Sequence, residues 1–279
     1  MEKEEFAREL FNRYGTVKRA RGCFLYTAKN VRLTDLYQED GRAILGWGGS
    51  SAFTMFKNFL NRGANGSFIT DCSYRLEKAV SALLNSKRSL VFFSNKEKCL
   101  EAAKNFGGEE NSFYAPWLLD KNENSIKWSE KKYVALQFPL AWAQEIYVLA
   151  VKCDDEKACA DSVLEETKKI KSDYKAFLVE IPSPLKAAYA RSVYNLLAAI
   201  QERSEKDWFL WDTVLNPYFV RKGPYLYTKL SESNYDDFVL YCLNLGILIN
   251  PDFNGISIIP FGADRGVLNC LKKNPFKIS

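Results

Sequence analysis

The sequence predicts an α/β fold, in which helices cover a central sheet. Short apolar stretches rich in β-branched and aromatic residues alternate along the chain with stretches of helical periodicity, which is the pattern of this class. The 279 residues, 47% of them hydrophobic and 26% charged, suffice for one large domain or two modest ones with a substantial core. We therefore expect an ordinary globular protein.

The first fifty residues predict a helix, a hairpin and a glycine-rich connection. Apolar side chains at helical spacing predict a helix over residues 2–14. Two aromatic and β-branched runs, residues 22–26 and 31–37, flank an asparagine-containing turn and predict a β-hairpin. Four glycines in residues 41–49 allow unusual backbone conformations, as at a loop over a ligand or at a domain junction.

The middle of the chain alternates predicted helices with predicted strands. Helices are predicted over residues 51–61, 74–85, 96–105 and 155–171. Strands are predicted over residues 89–93, 132–138, 146–152 and 176–181. Together these elements predict a central sheet formed by about residues 50–183.

The C-terminal part predicts a long helix and a small α+β domain. Pro184 opens the helix, which reaches about residue 201, because proline suits a first helical turn. A strand at 225–230, a helix at 235–245 and a strand at 256–260 are predicted after it.

One apolar stretch, residues 134–151, has to be weighed as a membrane span. Because it contains Gln137, Pro139, Gln144 and Glu145, it predicts two buried strands flanking a short helical turn instead. The N-terminus is charged from its second residue, unlike a secretory signal. We therefore expect a soluble protein with no membrane partner.

The residue types present exclude several kinds of chemistry. The chain has no histidine, which removes Ser-His-Asp and Cys-His catalysis and every metal site that needs an imidazole. Lysine Schiff-base chemistry and carboxylate chemistry survive. The acidic run at residues 154–156 is a conceivable metal ligand set, but acidic residues are common at helix starts, and we expect capping there and no metal site.

Cysteine and charge usage bear on compartment and partners. The seven cysteines are scattered and form no Cys-x-x-Cys pair, which indicates free thiols in a reducing cytoplasm. The net charge is +5, with lysines mostly interleaved with acids, as in residues 165–169. That pattern is typical of a solvated helix face and predicts no nucleic-acid partner.

Three collinear blocks carry a family resemblance. The first covers residues 21–37 and runs on to 43–47, the second covers 91–103, and the third comprises 181–188, 223–227 and 246–250. They resemble three parts of the fold-type I pyridoxal-phosphate-dependent aminotransferases, especially the class III branch. The first block is similar to the family's opening hairpin with its Leu-Gly-His element, the second to the corner that holds the cofactor phosphate, and the third to the return into the small domain. The resemblance implies a reduced transferase-like sheet and a dimer that buries its active sites.

The phosphate corner is the block most altered. The predicted strand ends at Ser94-Asn95, and asparagine is a strong helix N-cap. In the family a small glycine-containing turn follows and cradles the cofactor phosphate, whereas this chain has Lys96-Glu97-Lys98. Ser94, Asn95, Lys96 and Lys98 could hold an anion by charge and helix dipole, or form a solvated first turn.

Other family positions are missing. The family's Schiff-base lysine and its cofactor aspartate fall within residues 105–181, an interval far shorter here, and no matching aspartate is found. The family's substrate-carboxylate arginine falls on Ser257, and Trp47 replaces the histidine of the Leu-Gly-His element. The best candidate for a replacement lysine is Lys175, whose Ser-x-x-Lys spacing resembles that of some aminotransferases; the alternative is a solvent-exposed lysine at a helix-to-strand junction.

These departures predict a non-catalytic aminotransferase-like protein acting as a homodimer or as partner of an active aminotransferase relative. The expected segments are residues 1–48 (helix and hairpin of the small domain), 49–183 (reduced large domain) and 184–279 (linking helix and small domain). No cofactor is expected, although pyridoxal phosphate remains the candidate if one binds. The alternatives are an active pyridoxal-phosphate-dependent enzyme with a rearranged site and a module that binds a small molecule or anion.

Overall fold

A computed structural model describes residues 1–109, 112–119, 125–153 and 157–277. The chain divides into two compact units: a middle unit, Gly49–Ala199, and a terminal unit made of Met1–Gly48 with Ile200–Ser279. The α-helices are α1 Lys3–Tyr14, α2 Ser50–Asn61, α3 Cys72–Leu83, α4 Lys96–Asn105, α5 Lys157–Asp173, α6 Ser183–Glu202, α7 Asp212–Leu215, α8 Glu232–Asn244 and α9 Asn269–Lys273.

The strands build three small sheets. They are β1 Val17–Arg21, β2 Phe24–Thr27, β3 Arg32–Asp35, β4 Arg88–Phe93, β5 Tyr133–Gln137, β6 Tyr147–Lys152, β7 Phe219–Lys222, β8 Tyr225–Thr228, β9 Ile247–Leu248 and β10 Ser257–Ile258. Short 3-10 helices are formed by Lys175–Phe177, Glu205–Asp207 and Phe209–Trp211. Mixed helices and sheets confirm the predicted α/β class.

The middle unit contains a three-stranded antiparallel sheet in the order β4-β6-β5. Val91 and Ala135 both pair with Leu149 on the central strand. Because β4 and β5 each run antiparallel to β6, they are parallel to each other, and their carboxyl ends lie at the same edge of the sheet. All but the last residue of β5 and of β6 are buried, which explains why both strands read as continuous apolar runs.

The outer edge of β4 is covered by helix side chains. The Arg88 N–H donates to Ser81 Oγ at 3.0 Å, and the Glu77 carboxylate accepts from the backbone of Leu90. Ser81 and Glu77 are one turn apart on α3, and Arg88 and Leu90 are two residues apart on β4. The side-chain oxygens of the helix therefore accept from successive outward-facing N–H groups of the strand. This arrangement blocks pairing with a further strand along that part of the edge.

The predicted strand at residues 176–181 is wrong. The segment begins as the 3-10 helix Lys175–Phe177 and then makes a single bridge between Leu178 and Phe93. Its backbone bonds reach only the end of β4, where Val179 N–H donates to Phe92 O at 3.1 Å. Side chains of α3 occupy the rest of the edge, so no longer pairing forms.

Two other details differ from expectation. The connection between β5 and β6 has no helical turn, although the sequence predicted one. Helix α6 belongs to the middle unit as far as Ala199, whereas the expected segmentation began the last part of the chain at residue 184. The cause is packing, since the Tyr189 ring stacks on Phe138 with 4.2 Å between centroids.

Arg88 is a buried cation of the middle unit. It is 2% exposed, and its guanidinium donates to the carbonyls of Lys131 at 2.7 Å, Lys132 at 3.1 Å and Trp128 at 2.9 Å. Its Nε donates to Ser86 Oγ at 2.9 Å. Burial lowers the pKa of Arg88 to about 10. The side chain thus ties the segment before β5 to the start of β4.

The terminal unit holds a sheet of order β1-β2-β3-β9 and a second of order β7-β8-β10. The sequence did not predict β1, β7 or β9. Residues 38–40 all have positive φ, between 47° and 56°, and Gly41 follows at 86°. This left-handed turn is costly for side-chain-bearing residues. It is held by Asp35, whose carboxylate accepts from Gln38 N–H at 2.8 Å and from Trp47 Nε1 at 2.6 Å.

Candidate functional site

The candidate site lies at the carboxyl edge of the middle-unit sheet, where β4 and β5 end. In α/β proteins ligands bind beyond the carboxyl ends of parallel strands, because loops and helix N-termini converge there. Here β4 leads through Ser94 and Asn95 into α4, and β5 leads through Phe138 into the connection to β6. The predicted anion corner therefore occupies the place where such a site is expected.

The start of α4 is closed by its own cap. Asn95 has extended backbone angles, φ −137° and ψ 133°, and its Oδ1 accepts from Lys98 N–H at 2.8 Å, which confirms the predicted N-cap. The Ser94 hydroxyl and its backbone N–H both donate to Phe177 O, at 3.2 and 2.9 Å. These donors are therefore already used within the chain.

The two lysines of the corner also have partners. Lys98 Nζ lies 2.7 Å from a Glu101 oxygen and 5.2 Å from the centroid of the Phe177 ring. That hydrogen bond raises the pKa of Lys98. Lys96 Nζ lies 4.8 Å from the centroid of the Phe113 ring. Both cations are directed at groups of the middle unit.

The corner does not fit a cofactor phosphate. A phosphate at a helix start needs backbone N–H groups that it can approach closely, and small residues permit that approach. Here Asn95 covers the N–H of Lys98, Ser94 is engaged with Phe177, and long side chains follow the cap. The Lys98 N–H and the Ser94 donors are therefore used within the chain, and the long side chains after the cap crowd the approach of a phosphate.

Aromatic side chains fill the neighbouring part of the edge. Phe138, 2% exposed, stacks on Tyr189 and lies 6.5 Å from the ring of Phe92. The Trp142 ring lies 5.8 Å from that of Phe56 on α2. This packing was not predicted from the sequence. The signal that could have indicated it is the apolar run from residue 138 to 142, which contains no lysine.

Lys175 lies on the surface of the middle unit. It belongs to the 3-10 helix Lys175–Phe177 and its side chain is exposed. A nearby surface cavity of about 390 Å³ is lined by Lys98, Glu101, Asn105, Phe106, Lys169, Asp173, Tyr174 and Phe177, and not by Lys175. Within it Asn105 Nδ2 donates to the Tyr174 hydroxyl at 2.7 Å. Nothing in this arrangement buries the amine of Lys175.

The described residues contain neither a metal-ligand cluster nor a membrane-spanning helix. No group of three or more Asp, Glu, Cys or His side chains there is arranged to hold a metal ion. The acidic run at residues 154–156 lies outside the described residues. No helix within the described ranges combines the length and apolarity needed to cross a membrane.

Comparison with known sequences finds relatives without an assigned activity. No family model matches the chain. An uncharacterised protein of Treponema pallidum is 24% identical over 291 residues, covering 92% of both chains. An uncharacterised protein of Borreliella burgdorferi is 22% identical over 271 residues, covering 96% of this chain and 93% of its own.

Comparison with solved structures is informative about the fold. The chain is similar to an acetylornithine aminotransferase from Elizabethkingia anophelis, with a TM-score of 0.57, 10% identity and 98% of each chain covered. It is also similar to an omega-transaminase from Sphaerobacter thermophilus, with a TM-score of 0.61, 10% identity and coverage of 95% of this chain and 96% of that chain. A Plasmodium yoelii ornithine aminotransferase matches with a TM-score of 0.59, 11% identity and 96% of each chain covered. The fold of the chain is thus similar to that of these aminotransferases.

Proposed function

We propose that this chain is a non-catalytic aminotransferase-like protein, a pseudoenzyme, that acts as a homodimer or as partner subunit of an active aminotransferase relative. The observation that carries the proposal is the state of the carboxyl edge of the middle-unit sheet. Its corner is capped by Asn95 and closed by Phe177, and the stacked Phe138 and Tyr189 fill the space beside it. A site of this build has lost the access that chemistry on a bound cofactor requires.

The same geometry supports the absence of a tightly held cofactor. At this corner a phosphate would have to compete with the Asn95 cap and with the Lys98–Glu101 ion pair. Pyridoxal phosphate is nevertheless the cofactor to test, because structures with this fold include a transaminase with that cofactor bound. We place the protein in the cytoplasm, in keeping with the free thiols of the six described cysteines.

Incubation with pyridoxal phosphate followed by borohydride reduction tests the cofactor part. We expect only scattered, low-level labelling of surface lysines by mass spectrometry, because exposed lysines form weak, reversible imines that no pocket selects. The matched control is Lys175→Arg, which should leave the labelling pattern of all other lysines unchanged. A stoichiometric adduct on one lysine, abolished by its replacement with arginine, would establish instead an active enzyme with a rearranged site.

The proposed pairing has a candidate surface in the middle unit. Where α2 leads into α3, Leu60, Phe68, Ile69 and Tyr74 are 41%, 58%, 101% and 67% exposed. Clustered exposed apolar side chains of this kind mark interaction surfaces. They would be covered by a second copy of the chain or by a related subunit.

Light scattering coupled to gel filtration tests the pairing. We expect a mass of twice 32.0 kDa, and a shift towards the monomer in the double variant Phe68→Ser, Ile69→Ser. Phe11→Ser is the control, because Phe11 on α1 is also 58% exposed. A monomer at all concentrations that captures no aminotransferase relative in pull-downs would contradict the pairing.

A further inference from the structure

The hairpin region of the terminal unit has an unusual local charge. Between Glu9 and Asp35 the chain has no acidic residue, but it has six basic ones: Arg13, Lys18, Arg19, Arg21, Lys29 and Arg32. The expectation of no nucleic-acid partner rests on the whole-chain charge and on lysines interleaved with acids elsewhere, and neither describes this stretch. The hairpin is thus strongly basic although the protein is only moderately so.

Strand pairing arranges these cations around two aromatic rings. Arg19 of β1 pairs with Tyr26 of β2, which in turn pairs with Arg32 of β3. In the next row Arg21 pairs with Phe24. Directly opposite residues in an antiparallel pair share a face of the sheet, as do residues two apart on one strand. Arg19, Arg21, Phe24, Tyr26 and Arg32 therefore share one face, which we call the hairpin face.

The opposite face of these strands is the buried one. Leu25 pairs with Leu33, and they are 7% and 0% exposed. Since Leu25 alternates with Phe24 and Tyr26, the hairpin face is the one directed to solvent, except at Thr34, which pairs with Phe24 and is buried. Register thus places the arginines and the rings together on the outside.

The rings are accessible and bordered by guanidinium groups. Phe24 and Tyr26 are half-buried, and Arg19, Arg21 and Arg32 are exposed. The Arg32 guanidinium lies 4.5 Å from the Phe24 centroid, and that of Arg19 lies 5.5 Å from the Tyr26 centroid.

Among the described residues none of these three arginines makes an ion pair with a carboxylate. A phosphate-bearing ligand would therefore not have to displace an internal anion. The arginine–ring contacts leave the positive charge uncompensated, so the face retains its attraction for anions.

We propose that the hairpin face binds single-stranded nucleic acid. Arginines would contact phosphates, while Phe24, Tyr26 and the guanidinium planes stack with bases, a combination that a polyanion with exposed planar bases satisfies. A duplex is disfavoured because its bases are already stacked and paired. An anionic lipid surface would use the charges but not the rings. The face therefore fits unpaired nucleotides better than either.

Fluorescence polarisation with labelled oligouridylate and oligothymidylate tests the proposal on the full chain. If three phosphates are neutralised, the log–log slope of affinity against salt should be about −2, so a fourfold rise in salt weakens binding roughly 20-fold. Arg19→Gln, Arg21→Gln, Arg32→Gln together should weaken binding at low salt at least about tenfold and flatten the slope. The corresponding Arg→Lys variant keeps the charge and should bind within a few-fold of wild type.

Two further variants separate the proposal from general attraction to anions. Lys57→Gln, Lys78→Gln, Lys171→Gln removes three exposed charges elsewhere and should leave affinity nearly unchanged. Phe24→Leu, Tyr26→Leu keeps all charges and should weaken binding about fivefold or more through lost stacking. Circular dichroism checks that each variant is folded.

Several outcomes would overturn the proposal. One is an equal loss of affinity in the Lys57→Gln, Lys78→Gln, Lys171→Gln control. Another is unchanged binding in the Phe24→Leu, Tyr26→Leu variant. A third is a duplex of the same length that binds as tightly as the single strand. Binding to vesicles containing phosphatidylserine but to neither oligonucleotide would assign the face to membranes. A difference between oligouridylate and oligothymidylate would identify which nucleic acid is preferred and would support the proposal.

Discussion

Replacing Arg88 by methionine is expected to lower the free energy of unfolding by about 3 kcal/mol or more, although methionine fills a similar volume. The cause is the loss of every donor that Arg88 provides to partly buried carbonyl oxygens. Its buried guanidinium donates to the carbonyls of Trp128, Lys131 and Lys132, and of these the Lys132 carbonyl also accepts from the Lys152 N–H. Each acceptor left unsatisfied costs about 1–3 kcal/mol unless water reaches it.

Urea unfolding followed by circular dichroism measures this loss. Arg88→Lys retains the charge but not the planar fork of donors, and should recover only part of the stability. The neighbouring Lys87 is exposed, so Lys87→Met should change stability by no more than about 0.5 kcal/mol. A loss below about 1 kcal/mol in the Arg88→Met variant would mean that the segment before β5 does not depend on this arginine.

Asp35 is expected to make the stability of the protein depend on pH in an unusual direction. The side chain is 1% exposed, and burial raises its pKa from 3.8 to about 6, although the donors from Gln38 and Trp47 oppose the rise. Glu39 adds a like charge. The folded state therefore binds the proton more tightly than the unfolded state does.

The direction of the pH dependence of stability follows from that difference in proton affinity. Between pH 3.8 and about 6 the folded state holds more protons than the unfolded state, so the contribution of Asp35 to stability increases as pH falls through this window. The shift corresponds to about 3 kcal/mol. Most paired surface carboxylates act in the opposite sense, since acid protonates them and removes their stabilising charge.

Asp35→Asn isolates this contribution. On lowering the pH from neutral to below 4, wild type should gain about 3 kcal/mol relative to the variant, by urea unfolding at each pH. Asp237→Asn, at an exposed aspartate on α8, is the control and should show no comparable difference. The idea fails if the wild type and the Asp35→Asn variant keep a constant difference in stability across the acid range.

Elements with strong local signals could be predicted closely from the sequence. Helix α4 occupies Lys96–Asn105, as predicted, because Asn95 caps its start and glycines follow its end. The strands β5 and β6 were found because burial on both faces produces apolar runs. By contrast, β1 has the sequence Val-Lys-Arg-Ala-Arg, which carries no strand signal, and it becomes a strand through its pairing with β2.

Only part of the candidate site could be predicted from the sequence. The altered turn after Ser94 and the missing family positions could be read directly from residue types. The closure of the corner by Phe177 could not be predicted, because Phe177 reaches Ser94 from a segment that the sequence predicted as part of another strand. The filling of the edge by Tyr189 likewise depends on α6 packing against the end of β5.

The amino-acid sequence was therefore sufficient for the α/β class, for most helices of the middle unit and for the resemblance to aminotransferases, because caps, periodicity and motifs are local properties. Tertiary structure decided which polar groups became buried, as for Arg88 and Asp35, and whether the carboxyl edge of the sheet stayed open. It also brought the arginines and aromatic rings of the hairpin face into common rows. These properties depend on pairing and packing between segments that are distant along the chain, and no local pattern specifies them.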